Sequence, residues 1–294
     1  MIVETVADVR QAVGRARQAD RRVGLVPTMG ALHAGHASLI EAARRECDCV
    51  CVSIFVNPKQ FGPQEDFARY PRTWDQDLEL CRRSGAELIF HPGPDTVYPA
   101  EFRTYVDVQG LSDVLEGKFR PGHFRGVCTV VLKLLLMVGP DIAYFGQKDF
   151  QQQLLVRRMC ADLNMPVEIR VCPTIREPDG LALSSRNIYL DAGARRQALT
   201  LHATLTRAQE RVLSGERDLS RVRAEMWKML ADQSGVRPDY ATVADAATLQ
   251  ELETPSREMV ALVAARVGDT RLIDNVLLSA DERPPNARGP EEIA

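Results

Sequence analysis

The stretch Val23-Gly24-Leu25-Val26-Pro27-Thr28-Met29-Gly30-Ala31-Leu32-His33-Ala34-Gly35-His36 joins a short apolar run to a glycine-containing loop, and a helical pattern follows over about residues 35–45. A buried strand turning directly into a helix is the repeating unit of a parallel sheet. The rhythm recurs along the chain. Cys49–Val56 (CVCVSIFV), Leu88–Phe90 and Asp141–Phe145 (DIAYF) are further apolar runs and Val167–Val171 a further strand, separated by helical patterns that begin near Trp74, span Val127–Val138 and begin near Asp149. Strands that are apolar throughout, rather than at alternate positions, imply a sheet covered by helices on both faces. Ligands of such sheets sit beyond the carboxyl ends of the strands. The unusual loops after Val26, Val56 and Phe145 all lie at that end, so they are expected to converge on one crevice.

The pattern changes after about residue 180. Ala192–Ser214 and Leu219–Gln233 read as helices rich in Arg, Ala and Leu, and Tyr240–Val243, Met259–Val267 and Arg271–Leu278 as strands. Gly268-Asp269 between the last two is a two-residue hairpin signal. The predicted fold class is therefore α/β: a Rossmann-like parallel sheet with helices on both faces over residues 1–180, and a smaller C-terminal α+β domain over 181–282. Residues 283–294, rich in Pro and charge with little to bury, are expected to form a disordered tail. A chain of 294 residues has room for two domains of ordinary size.

Bulk properties narrow the function. The net charge of −3 gives no basic excess, so nucleic acid is not an expected partner. Val127–Val138 is the most apolar stretch but contains Lys133 and falls short of the roughly 20 residues that span a bilayer, so it reads as a buried helix. The N-terminus is amphipathic and unlike a secretory leader. Seven cysteines without a CxxC spacing suggest a reducing, cytoplasmic compartment. Cys47, Cys49 and Cys51 alternate as if on one strand face and are read as small buried hydrophobes rather than metal or redox groups.

Four segments carry chemistry. His33 and His36 share one face of a first helical turn, where unpaired N–H groups and the helix dipole suit phosphate, and Gly35 permits close approach of a nucleotide. Two imidazoles there could donate to phosphoryl oxygens, or could merely cap the helix; a metal site would need a third ligand of evident spacing. In Gly146-Gln147-Lys148-Asp149, Lys148 suits phosphate, Asp149 could accept from ribose hydroxyls or cap the following helix, and Gln152 lies one turn further on the same side. Leu183-Ser184-Ser185-Arg186 is a candidate mobile phosphate clamp or an ordinary Ser-rich turn. Gln60, in Phe55-Val56-Asn57-Pro58-Lys59-Gln60-Phe61, is a neutral amide beside aromatics, suited to a small hydroxylated substrate.

Taken together, PTMGALHAGH, SIFVNPKQF, ARYPRT, LEGKFRPGHFRGV, PDIAYFGQKDFQQ, DGLALSSRN and GDTRLIDN occur in the order seen in the pantoate–β-alanine ligase family, and from about Val23 to Asn275 the chain resembles it. The family shares a HIGH-type signature, here HAGH, and a KMSKS-like loop, here LSSR. The resemblance implies an ATP- and Mg²⁺-dependent ligase that forms pantoyl adenylate from pantoate and passes the acyl group to β-alanine, with a homodimeric assembly. It further implies an ATP site of Met29, Gly30, Ala31, Leu32, His33, Ala34, Gly35, His36, Gly146, Gln147, Lys148, Asp149, Ile175, Leu183, Ser184, Ser185 and Arg186. His36, His33, Lys148 and Arg186 would act in catalysis, and Gln60 and Gln152 would hold pantoate, with Gln60 also on the β-alanine side. Ala34 and Gln147 stand where many members carry acidic residues, which puts affinity rather than activity in question. The metal ligands stay open: Asp75 and Asp77 are candidates, but acids are common in a first helical turn. His123 and Arg125 are equally open between binding substrate and shaping a loop. The competing readings are another nucleotidyltransferase of the superfamily, which would have no use for the two glutamines, and a catalytically silent nucleotide sensor.

Overall fold

The structure, a computed structural model, describes residues 1–63 and 65–279; the tail expected at 283–294 lies outside the described residues. The chain divides into two compact units, one of Met1–Ile175 with Leu183–Ser185, the other of Arg176–Ala182 with the described chain after it from Arg186 to Ser279.

The first unit is built on six strands, β1 (Ile2–Val3), β2 (Val23–Thr28), β3 (Cys49–Ile54), β4 (Leu88–Phe90), β5 (Ile142–Gly146) and β6 (Glu168–Cys172), in the order β1-β4-β3-β2-β5-β6. Every pairing is parallel. The helices between them are α1 (Val6–Gln18), α2 (Ala34–Glu46), α3 (Trp74–Ser84), the short α4 (Pro94–Val97) and α5 (Glu116–Phe119), then α6 (His123–Val138) and α7 (Phe150–Asp162). The five strands expected from the sequence are β2 to β6. The edge strand β1 has no counterpart in the sequence reading because two residues carry no periodicity.

Strand side chains alternate between two apolar layers, as the pleat requires. Leu25, Cys49, Cys51, Ala143 and Phe145 pack with α1, α6 and α7, whereas Val26, Val50, Val52, Ile54, Ile142 and Tyr144 pack with α2 and α3. Covering both faces explains why β2 to β5 are almost wholly apolar, whereas the edge strand β6 alternates and is only partly buried. One expectation needs correction: Cys47 does not share a face with Cys49 and Cys51. It caps the end of α2 and joins the other layer, its Sγ 3.5 Å from the Tyr144 hydroxyl. All seven cysteines are free and buried.

The strand order locates the crevice. Winding starts at β2, runs outward through β3 and β4, and returns to β5 on the opposite side of β2, so the direction reverses between β2 and β5. Ligands of open α/β sheets bind at such a reversal. β2 pairs with β3 along its whole length but with β5 only at Gly24 and Leu25. Pro27, two residues further on, has no N–H to extend a ladder. The carboxyl ends of β2 and β5 therefore part.

In the second unit, α8 (Ala192–Leu213) and α9 (Leu219–Asp232) pack on an antiparallel meander of β7 (Val236–Asp245), β8 (Met259–Val267) and β9 (Thr270–Leu278). Val267 pairs with Thr270, which leaves Gly268-Asp269 as the predicted two-residue hairpin. Gly268 takes φ +56°, a left-handed value that glycine tolerates without a steric cost. Within this unit Arg176 donates to both carboxylate oxygens of buried Asp274, at 2.6 and 2.9 Å. Removing one partner of such a pair leaves a buried charge uncompensated. Arg176→Ala is expected to lower the stability of the second unit by about 3 kcal/mol in chemical denaturation; a loss below about 1 kcal/mol would show that water solvates Asp274 in the native state.

Candidate active site

At the carboxyl end of β2 the chain turns through Gly30 (φ +81°) and Ala31 (φ +51°) before α2 begins. Two consecutive left-handed residues, one of them with a Cβ, are costly unless held. Asp77, at the start of α3, holds them. Its buried carboxylate accepts from the backbone N–H of Ala31 at 3.0 Å and of Leu32 at 2.7 Å, and from the Thr73 hydroxyl at 3.0 Å. Sequence alone offered Asp77 as a metal ligand candidate; its carboxylate is spent on the loop. Asp75 is exposed.

His33 caps α2 and forms a reciprocal box with His36. The Gly35 N–H donates to His33 Nδ1 at 3.1 Å, and the His33 N–H donates to His36 Nδ1 at 3.3 Å. Backbone amides can only donate, so both Nδ1 atoms are acceptors and each neutral ring carries its proton on Nε2. The helix amides that the sequence reading offered to phosphate are partly consumed: Gly35 N–H by His33, and His36 N–H by the His33 carbonyl at 2.8 Å. The Nε2–H groups are what the turn presents. Gly35 has a tighter reason to be glycine than ligand approach, since a Cβ there would lie 2.9 Å from His33 Cε1 and displace the ring. Desolvation, with Lys148 next, lowers the pKa of His33 to about 4. Desolvation, with His33 next, lowers that of His36 to about 3.

Lys148 and Asp149 belong to the loop after β5, across the reversal point, and act electrostatically on both histidines. Asp149 precedes α7 without a capping hydrogen bond from its side chain, and Lys148 Nζ lies 3.9 Å from its carboxylate. Of the two roles open to Asp149, capping is thereby removed. Gly146 faces open space. Leu183 sits over the histidine turn, its Cβ 3.9 Å from where a Cβ on Gly35 would be, and its N–H donates to the Ile175 carbonyl at 3.0 Å. The Ser185 hydroxyl lies 3.4 Å from that of Tyr70, and Ser184 links Leu183 to Ser185 along the chain. Arg186 belongs to the second unit.

Gln60 ends a short 3-10 turn, Pro58–Gln60, after β3. Its Nε2 donates to the Met29 sulfur at 3.1 Å, which ties this loop to the histidine turn, while its Oε1 accepts from Asn57 Nδ2 at 2.9 Å. Asn57 is fixed in turn, since its Oδ1 accepts from the Lys59 N–H at 3.2 Å and from the Tyr98 hydroxyl at 2.8 Å. Gln152 is half-buried near the start of α7. Its neighbour Gln151 is buried and bonds to the segment around α5, accepting from Glu116 N–H at 3.0 Å. Arg125 stacks on Tyr105, 4.3 Å from the ring centroid. The sequence reading missed Asp77 as a loop anchor, Asn57 and Tyr70; only the NPKQF and ARYPRT segments hinted at the last two.

Among the described residues no group of three or more His, Cys, Asp or Glu side chains could hold a metal ion, and no helix is long and apolar enough to cross a membrane.

A doubly wound parallel sheet with imidazoles, a lysine and a buried amide gathered about its reversal point has the architecture of an α/β enzyme. The family model for pantoate–β-alanine ligase matches residues 1–277. A pantothenate synthetase of Moorella thermoacetica is 52% identical over 281 residues, covering 96% of this chain and 99% of its own, and one of Thermotoga petrophila is 50% identical over 277 residues, covering 94% and 99%. The crystal structure of pantothenate synthetase from Thermus thermophilus superposes with a TM-score of 0.89 at 45% identity, covering 94% of this chain and 98% of that one. A pantoate–β-alanine ligase from Francisella tularensis, solved in complex with β-γ ATP and β-alanine, matches with a TM-score of 0.77 at 33% identity, covering 94% and 97%. The chain belongs to the pantoate–β-alanine ligase family.

The low histidine pKa values set a pH test. At pH 5.5 a free imidazole is about nine-tenths protonated, whereas His33 and His36 are expected to stay neutral, as read from their ring NMR shifts. Between the folded values and the ordinary value near 6.5, the unfolded chain binds more protons than the native one. Stability should thus be fullest above pH 6.5 and fall as pH drops toward 4, with a shallower slope in His36→Gln. Titration of both rings near 6.5 would contradict the desolvated box.

Proposed function

We propose that this chain joins pantoate to β-alanine at the expense of ATP, through an enzyme-bound pantoyl adenylate. The observation that carries the reading is the double-imidazole box: two neutral rings, both with Nε2–H free of the backbone, beside Lys148 at the sheet's reversal point. Adenylation needs no protein nucleophile. A pantoate carboxylate oxygen bonds to the α-phosphorus as the bond to the β-phosphate bridging oxygen breaks, and pyrophosphate leaves. The β-alanine amine then attacks the acyl carbon, AMP leaves with the electrons of the acyl–oxygen bond, and the nitrogen loses a proton.

The protein's task is to position the reactants and stabilise charge growing on the phosphates. Neutral Nε2–H donors and the Lys148 ammonium suit that task without any change of protonation. Met29 to His36, Gly146 to Asp149, Ile175 and Leu183 to Ser185 form the ATP site in this reading. Asp149, free of a capping duty, suits the ribose hydroxyls. Arg186 enters by the resemblance alone. Gln60 suits a pantoate hydroxyl because its Nε2–H rests on a thioether, a weak acceptor that a substrate oxygen readily replaces. Gln152 is assigned to pantoate by the resemblance and by its half-buried place beyond Lys148. Magnesium enters on the nucleotide phosphates as part of the substrate in this reading, on the resemblance. A cytoplasmic homodimer completes the reading, also on the resemblance.

With pantoate present and β-alanine withheld, labelled pyrophosphate should exchange into ATP; folded protein that exchanges none with Mg²⁺ present would sink the adenylate route. His36→Ala should cut turnover by about 10²–10³-fold, the scale of losing one transition-state donor. Unchanged turnover would make the box purely structural.

A further inference from the structure

Both ring nitrogens of His123, which is buried at the start of α6, are engaged, and their partners demand opposite roles. Nδ1 lies 2.8 Å from the Gln60 carbonyl oxygen, which can only accept, so Nδ1 carries the proton. Nε2 lies 3.0 Å from Arg120 Nη1, which can only donate, so Nε2 offers a lone pair. This tautomer is the reverse of the one in the histidine box. Arg120 is itself fixed, its Nε and Nη2 donating to the two carboxylate oxygens of Glu65 at 2.8 and 2.6 Å. Burial, then the Arg120 guanidinium, lowers the His123 pKa to about 4, so the ring stays neutral.

The first turn of α6 is a platform for the Pro58–Gln60 turn. A Cβ on Gly126 would lie 2.2 Å from the Lys59 carbonyl oxygen and 2.7 Å from the Gln60 nitrogen, so only glycine allows this contact. Asn57 Nδ2 donates to the Gly126 carbonyl at 3.1 Å as well as to Gln60 Oε1. Gln60 is thus held by its side-chain oxygen, its backbone and its carbonyl. Only its Nε2–H is left on the weak sulfur acceptor.

We infer that His123 is a positioning residue for the acid substrate: by donating from Nδ1 to the Gln60 carbonyl, it sets the register in which the Gln60 amide meets pantoate. The inference rests on the reading that Gln60 binds pantoate. His123 itself does not reach substrate, because Arg120 covers its second nitrogen.

The test uses the full-length enzyme and compares His123→Phe, His123→Asn, Gln60→Ala and the His123→Phe/Gln60→Ala double variant. Asparagine keeps an N–H near the Nδ1 position and phenylalanine does not. His123→Phe should raise the KM for pantoate about tenfold with the KM for ATP within about twofold of wild type, and His123→Asn should restore most of that loss. The double variant should be no worse for pantoate than Gln60→Ala, because one residue acts through the other. If Gln60→Ala leaves the pantoate KM unchanged, the pocket reading itself fails. If Gln60→Ala raises it but His123→Phe does not, or the two effects multiply, the role of His123 is overturned while the pocket stands. Should His123→Phe not fold, ¹⁵N shifts of the wild-type imidazoles decide: protonated Nδ1 on His123 is expected, and protonated Nε2 would overturn the inference.

Discussion

Everything at the mouth of this sheet depends on where two backbone N–H groups point. Those of His33 and Gly35 enter the Nδ1 lone pairs of His36 and His33, and in doing so they choose the tautomer of each ring. A capping box normally uses a hydroxyl or carboxylate to satisfy orphan amides. Built from imidazoles, it satisfies the amides with one nitrogen and leaves the other as a donor of fixed direction. The glycine between the rings follows from the same geometry, since any Cβ there would collide with His33. So does the strained approach to the helix: Gly30 and Ala31 adopt left-handed angles because Asp77 reaches across from α3 to collect the amides of Ala31 and Leu32.

Parallel-sheet topology supplies the rest of the setting. β2 leaves β5 after Leu25, and the loops that follow the two strands face each other across the opening. Lys148 on one loop raises the cost of protonating His33 and His36 on the other, in the same direction as desolvation. Positive charge is therefore confined to the lysine while the imidazoles remain neutral donors. That division matters where an anionic ligand is handled: two imidazolium ions beside a lysine would repel one another before the ligand arrived.

Much of this was legible in the sequence, and the limits have physical causes. Apolar runs of β2 through β5 announced a doubly covered parallel sheet because burial on both faces leaves few polar positions in such strands. The Gly268-Asp269 hairpin was readable because φ > 0 selects for glycine. β1 was not, since its two residues owe their conformation to pairing with Ile89 and Phe90, far away in sequence. The histidines were visible as a pair, but spacing could not tell a capping role from a ligand role. The structure shows the capping role on each Nδ1 and leaves each Nε2 as a donor. Asp77 stays open in the sequence for a related reason: an acid in a first helical turn looks the same whether it faces solvent, a metal or a loop 45 residues earlier. Cys47 likewise matched the alternation of Cys49 and Cys51 although the chain there had not yet entered the strand.

The glutamine side of the crevice shows how a neutral amide gains direction. Alone, a glutamine side chain can rotate and can flip its oxygen and nitrogen. Here Asn57 removes the flip by donating to Oε1, and Asn57 cannot itself flip because Lys59 N–H and the Tyr98 hydroxyl claim its oxygen. The chain of amides is anchored by the Lys59 N–H, which can only donate, and the Gly126 carbonyl, which can only accept. Burial makes such a network worth keeping, because every unsatisfied member would cost more than in water. At its end stands the Gln60 NH₂ group, which donates to a sulfur, the weakest acceptor in the set.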